Sequence, residues 1–514
     1  MKIQLQFHIL ELDNRTGGRV FTHRFTAAKD QYFEAGAMRI PNTQTHFLVK
    51  ELIRYLNTKL PSEDHINIIP YVIQQNNNRV FVNGVHTFVN EKDKLTAEEL
   101  HFDDVPHPYK NKTADELLLK VVKPFIDLLN HNFEEGWKAI MKWDRVSFRY
   151  YLENEFKDKD NDNKPYPPAV VDFIEILSSQ ANQYALSFPE MVMQSLDFGE
   201  KDWFTIAGGM DRLPEGAAKV VGLENITYGA RVYKIEVLGS GKLAVWADGD
   251  RGVVRGEYDN VLLAIPPAAV RMIRDRPHWS PKKEQALRAM YFEPLYKIGL
   301  RFKTRFWERV QKPCFGGQSI SDQATRWIVY PSYGLHDDGP GVLLLYSWQS
   351  DASVWTSIPP NERVKHALRD LAQVYPQTDE IDIYSEFIEA DNVAWTNRTP
   401  TGDCMFLPGQ YSDYFKIARE PEGNIYFAGE HLSRHHTWIS GALDSALQAV
   451  GQMMHSTMHS NQFDVPFGVL GPKPHLEIST KRYDGEEHRK NFIQDRAPKL
   501  DYDKLKEHFG IRMD

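Results

Sequence analysis

The stretch 424–454, NIYFAGEHLSRHHTWISGALDSALQAVGQMM, sets the tightest limit on the fold. Apolar residues 425–428 read as a short buried strand, and a polar loop follows. From about Trp438, residues Ile439, Ala442, Leu443, Ala446, Leu447 and Val450 recur at spacings of three and four, which is the stripe of an amphipathic helix. A strand that passes through Ala-Gly-Glu into a helix start aims unpaired N–H groups, with their partial positive charge, at whatever lies there. An anionic group such as a phosphate suits that place. An ordinary buried strand–loop–helix unit would carry the same pattern, so the rest of the chain must decide between them.

Composition narrows the classes. At 514 residues the chain has room for about two to four domains. An apolar fraction of 42% with 25% charged residues belongs to a globular protein with a large core. The net charge of −9 argues against nonspecific nucleic-acid binding, and no apolar run reaches the roughly 18 residues of a membrane span. Two cysteines, Cys314 and Cys404, exclude a disulfide scaffold and a four-cysteine zinc site. The opening MKIQLQFHILEL lacks the layout of a secretory leader, so none is expected, and the compartment stays open. The sequons at Asn14, Asn111, Asn225 and Asn397 are of a kind that arises by chance.

Taken in order, residues 2–12 read as a strand ending on Glu11 and Leu12, followed by a Gly17-Gly18 turn and Arg19. An acidic strand end is what a dinucleotide fold uses for a ribose hydroxyl pair, although most such residues are plain surface. The segment FEAGAMRIP at 33–41 is apolar around Glu34 and Arg39, and an Arg there needs an anionic partner from the protein or from a ligand. A helix is expected over 46–60 and a hairpin turning at Asn83-Gly84 over 80–89. Residues 114–187 are mostly helical, and 204–265 return to strands around one helix. GSGK at 239–242 lacks the full phosphate-loop pattern and reads as a hairpin turn. Strands are expected at 296–302 (carrying Lys297), 327–330, 342–348, 384–390 and 392–399, with helices at 283–290 and 361–374.

In this order and spacing the segments resemble the flavin-dependent L-amino-acid oxidases of the flavin amine oxidase superfamily, over nearly all of residues 3–455. The resemblance rests on Glu11 with Arg15-x-Gly17-Gly18-Arg19, on Gly36-Ala37-Met38-Arg39 (where the family's G-P-M-R has proline at 37), and on the run from Gly208 to Pro214. Ala230-Arg231-Val232, Tyr426 to Glu430 and Trp438-Ile439 complete it. It implies an α/β fold: a Rossmann-like FAD-binding domain from 1–45, 204–275 and 420–455, and a mixed α+β substrate-binding domain from 46–95 and 276–419. A helical domain over 96–203 and an extension over 456–514 complete the expected division.

The resemblance also implies roles. Glu11, with Leu12, would hold the adenosine ribose and Val232 the adenine, while Arg19 and the backbone of Gly36, Ala37, Met38 and Arg39 would lie along the pyrophosphate and flavin. Glu430 and the backbone of Thr437, Trp438, Ile439, Ser440, Gly441 and Ala442 would hold the ribityl chain and ring. Arg39 would clamp the substrate carboxylate with help from Tyr346, Thr437 and Trp438 would flank the substrate, and Lys297 would hold a water at the flavin N5 edge. The expected reaction turns an L-amino acid and O₂ into a 2-oxo acid, ammonia and hydrogen peroxide, in a chain able to form a homo-oligomer.

Two departures stand out. No G-x-G-x-x-G precedes Glu11, so the expectation is an amino-terminally truncated oxidase that retains FAD weakly. The segment FPEMVMQSLDF at 188–198 has no His where relatives can place one for the substrate. His431, His435 and His436 sit in a loop and are expected to line a pocket, with no metal. The alternatives are an amine or polyamine oxidase of the same superfamily, which has no use for Arg39, and a flavin-deficient inactive relative.

Overall fold

The computed structural model describes residues 6–460 apart from 181, 250–251, 376–378, 380 and 397–400. Two short parallel ladders frame the part of the fold named first above. Ile9–Leu10 pairs with Ile226–Thr227, and Val261–Leu263 pairs with Ile425–Phe427. Parallel pairing needs both faces covered. Ile425, Phe427 and Leu263 are buried in one apolar cluster, which Leu10 packs against. The helix Ile439–Ser460 returns along this ladder, with Ala449 buried against Tyr426 and Ala428.

An antiparallel meander follows, Arg231–Val237, Leu243–Gly249 and Gly252–Tyr258, with GSGK as the turn between its first two strands. The largest sheet among the described residues has seven strands in the order Phe387–Ala394, Leu295–Phe302, Gly341–Trp348, Trp327–Val329, Gln318–Ser321, Arg79–Val82 and Val85–Phe88. Its last hairpin turns where expected, with Asn83 at φ 51° and Gly84 at φ 76°, which fits a two-residue primed turn. A smaller sheet sets Trp203–Ile206 between Ile40–Pro41 and Ile68–Tyr71.

The helical layer contains Ala114–His131, Phe133–Met141, Pro168–Leu177 and Phe188–Phe198. Ala114–His131 starts on a full capping box, Thr113 with Glu116, which satisfies two N–H groups that would otherwise be left over. Phe148, Phe173 and Phe188 are buried completely, at roughly 1.5–3 kcal/mol apiece. No helix of the described residues is long and apolar enough to cross a membrane.

Several expected boundaries move, for physical reasons. The strand expected over 2–12 is Ile9–Leu10 among the described residues, because its partner strand is only two residues long. The run 226–237 is split: Ile226–Thr227 joins Ile9–Leu10, and the chain turns at Gly229 (φ 66°) before the meander. The strand expected at 384 starts as a helical turn, Ile383–Glu386, because the Asp382 carboxylate caps the N–H groups of Tyr384 and Ser385. Phe387–Ala394 then forms one strand where two were expected, and the end of 392–399 lies outside the described residues. The last helix runs to Ser460, past the boundary expected at 456, and the rest of that extension lies outside the described residues.

Candidate active site

Glu430 opens the 3₁₀ turn Glu430–Leu432 just after the strand Ile425–Phe427 and ties three parts of the chain together. Its Oε1 accepts from Arg19 Nη1 at 2.9 Å and its Oε2 from the Thr437 N–H at 2.9 Å, and both oxygens meet the Cys404 N–H at 3.2 and 3.3 Å. Burial pushes the carboxyl up, but Arg19, His436, His431 and the Thr437 N–H outweigh it, so Glu430 lies below the ordinary carboxylate range. Glu430 therefore anchors the loop that leads into the helix. Thr437 is held at φ 71°, and Trp438, Ile439, Ser440, Gly441 and Ala442 follow as the first turn.

The 33–41 segment is tied to this loop through Arg19. Gly36 N–H donates to Phe21 O and Ala37 N–H to Arg19 O, at 2.9 and 3.0 Å. A side chain at 36 would put its Cβ 2.0 Å from Arg19 O, so only glycine allows the two backbones to approach this closely. Met38 and Arg39 follow, both buried. Lys297 reaches the same segment from the strand Leu295–Phe302, donating to Gly36 O at 2.5 Å and Glu34 O at 3.2 Å. Burial, helped by Arg39, lowers the Lys297 ammonium to about 7. Glu34 accepts from Thr22 Oγ1 and the Met210 N–H, yet burial raises it to about 8.

Arg39 occupies an aromatic cage. Its guanidinium carbon lies 4.8 Å from the Trp327 ring, 5.0 Å from Phe198, 5.5 Å from Trp203 and 5.9 Å from Tyr71. Its hydrogen-bond partners are neutral: Gln318 Oε1 at 3.1 Å and the Tyr71 hydroxyl. Phe198 and Trp203 also touch Trp438, with ring centroids 6.1 and 6.0 Å apart, so Arg39 and Trp438 share two walls. Tyr346 packs edge-on against Trp327 and Trp348, and burial raises its hydroxyl well above the ordinary tyrosine range.

The second end of the region is more open. Glu11 N–H donates to Thr227 O and Glu11 O accepts from the Ala230 N–H, which ties the strand end to the segment leading to Val232. Glu11 Oε1 accepts from the Asp13 N–H at 2.8 Å, the Leu12 N–H and Arg15 add to the carboxyl's surroundings, and burial still raises it. Leu12 is 55% exposed, while Val232 is half-buried beside a bulge.

Several residues of this region carried no sequence signal. Gln318, Trp203, Trp327 and Phe198 meet Arg39 only through the fold. Glu293, buried, and Asp403, partly buried, form a carboxyl pair. Gln183 Nε2 donates to both Glu293 oxygens, at 2.8 and 3.1 Å, and the two carboxyls are hydrogen-bonded to each other. Burial, with the Glu430 charge, raises Asp403 to about 7. Of the loop histidines, His436 Nδ1 meets Glu190 Oε2 at 2.8 Å and stacks on Tyr411, and His431 is fully enclosed. Among the described residues no group of three or more His, Cys, Asp or Glu could hold a metal ion.

Comparison with known proteins places this geometry. The sequence pattern of the family described as "Flavin containing amine oxidoreductase" matches residues 4–454. YobN of Bacillus subtilis (strain 168) is 29% identical over 448 residues, which cover 86% of this chain and 88% of YobN. The L-amino-acid oxidase of Echis ocellatus is 28% identical over 448 residues, covering 86% of this chain and 82% of that protein. Among solved structures, cyclohexylamine oxidase from Brevibacterium oxydans IH-35A superposes with a TM-score of 0.63 at 17% identity, covering 88% of this chain and 93% of that one, which is a likeness of fold.

The residues in place fit FAD. Arg19 and Arg39 bring positive charge to the 34–39 segment, and Lys297 and the start of the helix Ile439–Ser460 bring N–H donors, as an electron-accepting ring and phosphates require. Glu11, half-buried at a strand end with its carboxyl met by backbone N–H groups, is of the residue type that suits a ribose hydroxyl pair. The chain belongs to the flavin-containing amine oxidoreductase family, and its cofactor is FAD.

Proposed function

We propose that this chain oxidises L-amino acids to 2-oxo acids, with release of ammonia and hydrogen peroxide. The observation that carries this reading is Arg39. A guanidinium buried among four aromatic rings, with only neutral hydrogen-bond partners among the described residues, lacks a counter-charge there. Burial without one is unfavourable, and a substrate carboxylate supplies it in the bidentate geometry that Arg favours.

FAD, when bound, supplies the acceptor for the hydride from the substrate Cα and passes the electrons to O₂. The chain's own residues do the rest. Arg39 orients the carboxylate, and the Tyr346 hydroxyl, kept protonated by burial, donates to it. Trp438, joined to the cage through Phe198 and Trp203, flanks the amino end. Lys297, neutralised near pH 7, holds a water in place, and the aromatic walls exclude the others. Glu11 and Val232 would hold the adenosine, and Arg19 with the 36–39 backbone would hold the pyrophosphate. Glu430 and the turn from Thr437 to Ala442 would hold the ribityl chain and ring.

A peroxide-coupled assay tests the reading, with L-amino acids set beside the amines that lack only the carboxylate. Wild-type protein is expected to turn over the amino acids. Arg39→Ala should lose on the order of 100-fold or more in kcat/KM on them, the size of a buried charge partner removed. Equal turnover of the matched amines by wild type and Arg39→Ala, with no preference for amino acids, would establish the amine-oxidase reading instead. Absence of flavin absorption after FAD is added would favour a flavin-deficient relative.

A further inference from the structure

His46 makes three contacts that link the helical layer to the flavin end of the site. It closes the 3₁₀ turn Gln44–His46 that leads into the helix Phe47–Asn57, and it is 1% exposed. Its Nε2 meets Asp197 Oδ1 at 3.3 Å, near the end of the helix Phe188–Phe198. Its Nδ1 meets Ser440 Oγ at 3.2 Å, in the first turn of the helix Ile439–Ser460. Its ring also lies 4.7 Å from that of Trp438, with the planes at 86°. Asp197 and Ser440 are as deeply buried as His46, and Thr45 Oγ1 adds a longer contact to Asp197.

An Asp, His and Ser in hydrogen-bonded series suggests a nucleophilic triad, but the geometry excludes one. In that arrangement the serine belongs on Nε2 and the carboxylate on Nδ1, with the serine open to substrate. Here the two are exchanged, and Ser440 is 1% exposed.

We propose that His46 is a positioning residue: held by Asp197, it fixes Ser440 and Trp438 together, and so aims the first turn of Ile439–Ser460 at the flavin and the substrate. A carboxylate only accepts, so Nε2 carries a proton and the ring cannot flip without losing that bond. With the ring fixed, Nδ1 sets the Ser440 side chain and the ring face sets Trp438. The N–H groups that a helix leaves unpaired at its start then point one way. Phe198 follows Asp197 directly and lines the Arg39 cage, so one helix end sets both walls of the pocket. The part of the proposal that concerns Trp438 and substrate rests on the L-amino-acid reading. The part that concerns FAD does not.

The test uses the full chain with His46→Gln, His46→Asn and Ser440→Ala. A glutamine amide reaches where Nε2 was and keeps Asp197, whereas an asparagine amide stands in for Nδ1 and keeps Ser440. His46→Gln and Ser440→Ala should each weaken FAD binding to the deflavinated protein about tenfold, the size of one hydrogen bond, and change the visible circular dichroism of bound FAD. His46→Asn, which keeps the Ser440 contact without the Asp197 anchor, should fall between His46→Gln and wild type on both. For substrate, His46→Gln should raise KM more than it lowers kcat. If all three variants lower the melting temperature alike while FAD affinity and dichroism stay at wild-type values, the positioning role is overturned. Should His46 variants fail to fold, Ser440→Ala decides by the same two readouts. If wild type oxidises no L-amino acid, that reading fails by itself, and the FAD measurements still decide the role of His46.

Discussion

Lys297 and Tyr346 face each other across one antiparallel pair of strands, with the Lys297 ammonium 4.4 Å from the centre of the Tyr346 ring. The ladder register makes them direct partners, and Trp327 continues the same row on the next strand. The sheet therefore delivers an amine, a phenol and an indole to one face, beneath the 34–36 carbonyls that Lys297 contacts.

Replacing that lysine should change how stability depends on pH. The Lys297 group, held near 7 by burial, is depressed from the ordinary lysine value of 10.5. Between those values the unfolded chain binds more protons, so stability rises with pH across the window, by at most roughly 1.4 kcal/mol per pH unit. Lys297→Met should remove this slope, raise stability at pH 7 and lower turnover at least tenfold. Denaturant unfolding from pH 6.5 to 10 measures it, and an unchanged slope would sink the assignment.

Asp403 should show the opposite sign. Its carboxyl, raised to about 7 from 3.8, binds a proton in the folded chain at pH values where the unfolded chain has lost it. Stability therefore falls as pH rises through that window. Asp403→Asn should leave the melting temperature near wild type at pH 4 and raise it at pH 8, because the shared proton with Glu293 is no longer lost. An equal fall at both pH values would count against a buried acid pair.

The Glu190–His436 pair gives a third test. Burial pushes the His436 imidazole down, but the carboxylates of Glu190 and Glu430 prevail and raise it above its ordinary 6.5. The stability this contributes is complete below pH 6.5 and is lost as pH climbs through the raised value. Glu190→Gln should therefore destabilise more at pH 6 than at pH 9, by about 1–3 kcal/mol at the lower pH. A loss independent of pH would mean that the pair is neutral throughout.

Glu11 should matter for the cofactor and not for the fold. It is half-buried, burial already disfavours its charge, and its hydrogen bonds within the chain come from the neighbouring Leu12 and Asp13 N–H groups. Glu11→Ala should weaken FAD binding by about 10- to 100-fold, the size of charged hydrogen bonds to a hydroxyl pair. The melting temperature of the deflavinated protein should stay the same or rise slightly. Unchanged FAD affinity in a titration would remove Glu11 from the ribose site.

Much of this was written locally in the chain. The spacing of Ile439, Ala442 and Leu443 gave a helix start near Trp438, and Asn83-Gly84 gave its turn, because face periodicity and turn chemistry depend on neighbours a few residues apart. The order of Glu11, the 36–39 segment and Glu430 was enough to indicate the family, since each motif encodes its own backbone path. Element ends were less legible: Ile9–Leu10 is short only because Ile226–Thr227 is short.

The tertiary structure alone decided what surrounds the charges. Periodicity states that a residue is buried but not against what, so Arg39 in sequence is a cation in need of an anion. Folding brings Tyr71, Phe198, Trp203 and Trp327 from four separate elements to enclose it, with no ion pair to it among the described residues. Likewise His46, Asp197 and Ser440 lie far apart in the chain and carry no shared pattern, and they meet only because three helices pack on one another. Sequence fixed which groups could do the chemistry, through local rules of spacing and turn. Packing fixed their protonation and their neighbours, because desolvation and contact are properties of the assembled interior.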